Sequence, residues 1–306
     1  MNTDQILQLS DQADTDQLKR HVEKLASYPR FNHDRHGEPL DYLHRAFSDY
    51  GLEVTGHTFS YKGQIGVNLI GHKFGTNRQI APLIVCAHYD TVDGSVGADD
   101  NASGLATMLE SARILKSVPL ERTVEFVALD MEETQHDGKA LVGSEYFVRD
   151  IASKTSYVGV INLETVGYTS GPGTQKVLPG FQTLFPDIYH HLREQDFSGN
   201  SLVVISRSDS NFLSDTIRNS AGKYLPGLDV LGLQLPDGLP IPTDLLRSDH
   251  ASFWSANIPA VMVTDTADFR NPHYHSKHDT PETLDYEFLR KITNLLTFSV
   301  ATSLVN

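Results

Sequence analysis

The sequence predicts an α/β domain built on a mixed sheet, from three observations. Short apolar runs alternate with segments of helical periodicity along nearly the whole chain. Two such runs stand side by side near the start, which places an antiparallel pair at one edge of the sheet. No repeat, low-complexity linker or break in composition divides the 306 residues, so one domain spanning residues 1–306 is expected.

The elements follow in order. Residues 15–27 and 40–50 have helical periodicity, with Leu18, Val22 and Leu25 on one face of the first. Strands are expected at 52–60 and 66–74, joined by Tyr61-Lys62-Gly63. A third strand, 80–88, delivers His88 to a turn-rich loop carrying Asp90, Asp93, Asp99 and Asp100. Leu105, Met108, Leu109, Ala112 and Leu115 then mark an amphipathic helix over 102–117, with Asn101 or Ser103 placed to cap it. Strand 122–130 runs into Met131-Glu132-Glu133, a helix forms near 144–151, and strand 157–164 ends on Glu164. Residues 167–186, rich in Gly, Pro, Ser and Thr, read as a long loop over a site. Strand 202–206, helix 211–222 and strand 228–235 continue the alternation. Ser248-Asp249-His250 opens a short helix to 257, and 258–265 is the last strand. A histidine-rich loop, 268–281, precedes a C-terminal helix over 282–305.

Composition narrows the function. With 39% apolar and 21% charged residues the chain is of ordinary globular type. A net charge of −14 argues against nucleic acid and anionic membranes as partners, and two divalent cations would leave it strongly acidic. The single cysteine, Cys86, excludes an internal disulfide and sits in an apolar strand as core. The opening MNTDQILQLSDQAD lacks signal-peptide character, and no run reaches the ~18 apolar residues of a membrane span. A cytoplasmic protein is therefore expected. Nothing in the sequence fixes its oligomeric state.

The candidate chemistry lies at strand ends. His88-Tyr89-Asp90 places imidazole and carboxylate on the same side of an extended segment, an arrangement in which Asp90 would hold one ring nitrogen while the other binds metal. Asp99-Asp100 supplies two acids where a helix cap needs one. Of Glu132 and Glu133, one carboxylate would bind metal and the other serve as general base. Glu164 closes another apolar strand, and one of His273, His275 and His278 is expected as a ligand. His250 reads as structural or as support for the ligands. A sheet gathers the carboxyl ends of its parallel strands along one edge, so these residues are expected to meet. Carboxylates and imidazoles without thiolates suit zinc, with cobalt or manganese as substitutes, and the number of donors points to two ions.

GADDNASG, the Glu132-Glu133 pair, SDHASFW and NPHYHSKHDT, in this order, resemble the two-zinc aminopeptidases of the bacterial leucyl aminopeptidase and glutamate carboxypeptidase family, over residues 68–284. The resemblance implies a three-layer α/β/α fold with a mixed, roughly eight-stranded sheet. It implies His88 and Glu164 on one zinc, Glu133 and His275 on the other, Asp100 bridging, Glu132 as base and Asp90 behind His88. Better-known members carry aspartate where this chain has Glu164. A cis peptide between Asp100 and Asn101 is also implied. The expected activity is hydrolysis of N-terminal residues from peptides with a free N-terminus, since a terminal ammonium suits so acidic a site. A carboxypeptidase would need an arginine fork; of Arg207, Arg218, Arg247 and Arg270, only Arg247 adjoins a motif, and it is read as the partner of a nearby acid. Glutaminyl cyclisation on one zinc, a carboxypeptidase of the same family and a non-catalytic binding domain are the competing readings.

Overall fold

The computed structural model describes residues 3–10, 12–31, 37–135 and 137–302. In chain order the strands are β1 (Glu53–Tyr61), β2 (Gln64–Lys73), β3 (Leu83–His88), β4 (Val124–Leu129), β5 (Gly159–Glu164), β6 (Leu202–Ser206), β7 (Val230–Gln234) and β8 (Ala260–Thr264). They form one mixed sheet in the order β1-β2-β4-β3-β5-β8-β6-β7. Parallel strands β4, β3, β5 and β8 make its centre. The β1–β2 hairpin is antiparallel at one edge, as expected, and β6 and β7 run antiparallel to β8 at the other.

Helices cover both faces. The helices are α1 (Thr3–Ser10), α2 (Thr15–Ala26), α3 (Gly37–Asp49), α4 (Gly104–Leu115), α5 (Val142–Asp150), α6 (Phe181–Leu184), α7 (Pro186–Glu194), α8 (Asn211–Tyr224), α9 (His250–Ser255) and α10 (Tyr286–Thr302). Leu83, Val85 and Ala87 of β3 join the core beneath α2, α3, α4, α8 and α10, whereas Ile84 and Cys86 face α5, α7 and α9. This period-two division leaves all six residues of the strand buried, the pattern of a parallel strand covered on both sides. Helix α4 is buried almost all round, because it packs between the sheet and α10.

Two segments depart most from the sequence reading. The expected loop 167–186 ends in α6, and α7 follows with Pro186 at its first turn. The C-terminal helix begins at Tyr286 rather than 282. Pro281–Thr283 form a 3₁₀ turn, and Asp285 Oδ1 then accepts the N–H of Phe288 at 2.9 Å as a cap. Residues 303–305 of that expected helix lie outside the described residues. Among the described residues no helix is long and apolar enough to cross a membrane.

Buried histidine gives the fold a pH dependence. His21 on α2 is 2% exposed, its ring nitrogens facing the hydroxyls of Tyr42 at 2.7 Å and Tyr50 at 3.2 Å. Burial, reinforced by Arg20, lowers its pKa from 6.5 to about 4. The folded state thus prefers neutral imidazole, and its contribution is complete above pH 6.5 and lost as pH falls toward 4. The full loss is roughly 3 kcal/mol. Denaturant midpoints of wild type and His21→Gln measured at pH 7.5 and 5 should show the variant losing less stability on acidification; parallel losses would contradict this account.

Candidate metal centre

Strand β3 delivers His88, fully buried, to the edge of the sheet. The chain then turns at Gly97 (φ 61°), where a Cβ would lie 2.2 Å from the Asp100 carbonyl oxygen and 2.4 Å from Thr91, so the position requires glycine. Ala98–Ser103 form a wide turn with a cis peptide bond between Asp100 and Asn101. Asn101 Oδ1 accepts the N–H groups of Gly104 and Thr165, both at 3.2 Å, so it caps the approach to α4 and stitches the turn to the end of β5.

Around this turn the predicted residues converge. His88 Nε2 lies 3.1 Å from Asp100 Oδ1 and 3.5 Å from Glu164 Oε1. His275 Nε2 lies 3.0 Å from Asp100 Oδ2 and 3.3 Å from Glu133 Oε2. Two triads result, His88–Asp100–Glu164 and Asp100–Glu133–His275, each with its donor atoms within 4.8 Å of one another, and they share Asp100. His88, Glu132 and Glu133 meet the same distance, so proximity alone does not divide the glutamate pair.

The donor set fits cations. His88 Nε2, both carboxylate oxygens of Asp100 and Glu133 Oε1 are buried without a hydrogen bond. Leaving such atoms unpaired is costly, and nitrogen and carboxylate donors without sulfur are those that hold zinc or a similar divalent ion. Several of the clustered groups bind protons more tightly than free side chains do. Burial, with the charge of Asp100 added, pushes Glu133 up to about 8. Burial opposes imidazolium at His275, but Asp100 and Glu133 outweigh it and raise the ring to about 10. Glu132 is driven well above the usual carboxylate range by burial first, against the opposing charge of His88, and by Glu164 and Glu133.

Other acids support the site from behind. The Asp90 carboxylate stands behind His88, whose Nδ1 is 3.2 Å from the Asp90 carbonyl and 3.5 Å from Oδ1. It accepts the consecutive N–H groups of Glu132 and Glu133, each at 3.0 Å. Ser248 donates to Glu164 Oε2 at 2.7 Å and accepts from Asn162 Nδ2 at 2.6 Å, which leaves Glu164 Oε1 to face His88. Asp99 stands apart from both triads: it accepts from Gly167 N and Asn271 Nδ2, and burial beside Asp265 raises it well above the usual range. Asp93 is exposed. His250 is structural, with Nε2 3.0 Å from the Leu245 carbonyl and its ring against Trp254. His273 packs against Tyr168 and His278, which leaves His275 as the member of that loop in the triads. Arg247 pairs with Asp268, as its sequence position suggested.

Sequence reasoning missed the supporting roles of Ser248, Asn162, Asp279 and Arg30 and the buried carboxylate of Asp249. Ser248 and Asp279 lie inside motifs already singled out, which was the available signal. Asp249 is fully buried beside the site, and burial raises its pKa to about 7. Arg30, 1% exposed, donates to the carbonyls of Tyr89, Val96 and Gly97 and fastens the metal loop from below.

The chain belongs to peptidase family M28, whose sequence pattern matches residues 68–300. It is 29% identical over 300 residues to YfbL of Escherichia coli strain K12, covering 92% of this chain and 86% of that protein. It is also 29% identical over 254 residues to the aminopeptidase YwaD of Bacillus subtilis strain 168, covering 81% of this chain but 47% of YwaD. Among solved structures it resembles BSAP, a zinc aminopeptidase from Bacillus subtilis, with a TM-score of 0.56 at 28% identity over 78% of this chain and 50% of that one. The LapA aminopeptidase of Legionella pneumophila gives 0.73 at 19% identity, over 100% and 75% of the two chains. A glutaminyl cyclase of Bacteroides thetaiotaomicron gives 0.68 at 18%, over 95% and 99%. At these identities the last two speak for the fold alone. The eight-stranded α/β fold is thus that of the family.

Ser248→Ala tests the support of Glu164. Freed Oε2 and an unpaired Asn162 amide should weaken binding of one zinc equivalent by about 10–100-fold in a chelator-competition titration. Unchanged affinity would show that Glu164 needs no such partner.

Proposed function

We propose that this chain is a metallo-aminopeptidase that binds two divalent ions, zinc foremost, and releases N-terminal residues from peptides. The observation that carries the reading is the pair of triads sharing Asp100. His88 and Glu164 would hold one ion, Glu133 and His275 the other, and Asp100 both. Cobalt or manganese would substitute, since the donors are nitrogen and carboxylate oxygen. Bound there, the ions supply a lowered water pKa and polarise the scissile carbonyl.

The chain's own residues do the rest. Glu132 takes a proton from the attacking water and returns it to the departing amine. It is the glutamate of the pair that stands outside both Asp100 triads. The terminal ammonium of the substrate is drawn to the surrounding carboxylates. Beside Glu164, Ser248 and Tyr274 opens an apolar cleft with Leu178, Phe181, Val203 and Met262 in its walls. It suits a bulky apolar N-terminal side chain. Among the described residues Arg247 is the only arginine lining it, and it is engaged with Asp268 rather than free to pair with a second arginine on a terminal carboxylate.

Glu132→Gln should keep both metals while kcat falls by about 10²–10⁴. Loss of metal in that variant would exchange the roles of Glu132 and Glu133. A peptide should lose cleavage on N-acetylation and keep it on C-amidation. The reverse would indicate a carboxypeptidase, and pyroglutamate formed from a glutaminyl peptide would indicate a cyclase. Among aminoacyl chromogenic substrates, leucyl and phenylalanyl should exceed alanyl by about 10-fold or more in kcat/KM, from ~1–2 kcal/mol of added apolar burial. A preference for acidic residues would contradict the cleft assignment.

A further inference from the structure

We propose that Asp279 is a positioning residue that couples the His275 loop to the bridging carboxylate, and so sets the geometry of one of the two metal positions. The proposal rests on reading Asp100 and His275 as ligands. Asp279 is fully buried and lies four residues beyond His275. Its Oδ1 accepts the N–H of Asp99 at 2.8 Å and its Oδ2 that of Asp100 at 3.1 Å. Its carbonyl accepts the N–H of Ala98 at 3.2 Å. Three consecutive amides of the Asp100 turn thus end on one residue of the His275 loop.

The arrangement repeats the work of Asp90, which takes the amides of Glu132 and Glu133 in the same two-point manner. Each aspartate fixes the backbone of an adjacent acidic pair. They differ in what else they hold. Asp90 belongs to the loop that leaves β3, next to the buried His88. Asp279 belongs to a loop whose ligand is 38% exposed and carries a left-handed backbone, φ 54°. Within residues 271–280 most hydrogen bonds are internal: Ser276 to His273, Asp279 to Ser276, Thr280 to His278. The ties to the Asp100 turn are those of Asp279 and the contact of Asn271 Nδ2 with Asp99 Oδ2 at 2.8 Å. The distance from His275 to Asp100 is therefore held through Asp279, with Asn271 beside it, whereas that from His88 to Asp100 is backed by β3 and by Asn101, whose side chain bonds to Leu163 and Thr165 at the end of β5.

Asp279→Asn keeps the shape but turns an N–H₂ group toward one of the two amides, so one acceptor is replaced by a repulsive contact. Zinc titration of metal-free protein against a chromogenic chelator separates two equivalents. In Asp279→Asn, one equivalent should weaken by about 10–100-fold while the other stays within about twofold. On a His275→Ala background, where that position is already lost, Asp279→Asn should change the remaining equivalent by no more than about twofold. Equal weakening of both equivalents, or a full further loss in the double variant, would overturn the proposal in favour of a general structural role. If Asp279→Asn does not fold, Asp279→Glu, which keeps both acceptors on a longer tether, is judged by the same two outcomes. Wild-type protein that takes up fewer than two equivalents would bring down the metal reading itself, and this inference with it.

Discussion

The structure depends on burying negative charge at one sheet edge. Asp90, Asp100, Glu132, Glu133 and Glu164 are each at most 8% exposed and surround two imidazoles. Carboxylates removed from water without compensation are strongly destabilising. Compensation here comes from two backbone amides at Asp90, from Ser248 at Glu164, and from His88 and His275. What remains uncompensated is specific: Asp100 keeps both oxygens free of hydrogen bonds at the point where the triads meet. The strand-end geometry that concentrates the charge thus also gathers a donor set that fits a divalent cation.

Backbone conformation reflects the same constraint. Met131 (φ 51°) precedes Glu132, Thr165 (φ 45°) follows Glu164, and His275 itself has φ 54°. Side chains with a Cβ adopt this left-handed region at a cost of about 1–3 kcal/mol each, which the surrounding packing must offset. All three positions turn the chain sharply where a straight strand or a regular helix would carry the carboxylate or ring away from its partners.

Most of the sheet was legible in the sequence because each central strand is an apolar run ended by an acid or histidine. Element ends were less so. The run 157–164 is apolar from its start, yet the ladder begins at Gly159, because hydrogen bonding and not hydrophobicity sets the boundary. Helix α7 was hidden by the turn-forming composition before it and by its sparse apolar face, of which only Leu192 is fully buried. At the site, acids and histidines at strand ends marked the region, and the family resemblance picked out the residues that converge. Two positions of separation showed that Asp90 lies at the His88 ring but not its second task, because tertiary folding also carries its carboxylate beneath a turn more than 40 residues away. Ser248 acts on a residue 84 positions distant and Asp279 on amides 180 and 179 positions distant. Such hydrogen bonds leave no periodic trace in the sequence.

The two halves of the centre differ in how they are held, and Glu164 shows why this matters. An aspartate at the end of β5 would reach toward His88 from a short, stiff stem. The longer glutamate has another rotatable bond, and ordering it costs conformational entropy. Ser248 limits that freedom by holding Oε2, and Asn162, itself on β5, holds Ser248. The extra methylene is therefore restrained by the same strand that supplies the ligand. On the opposite side no strand reaches His275; its ring stacks on Tyr274 at 3.9 Å and stands partly in solvent. The His88 half is set by the sheet, the His275 half by its loop, and Asp100 must satisfy both. The turn that carries Asp100 is tied from three directions, by Asn101 at the end of β5, by Arg30 below and by Asp279 from the loop, and so holds one carboxylate within reach of both imidazoles.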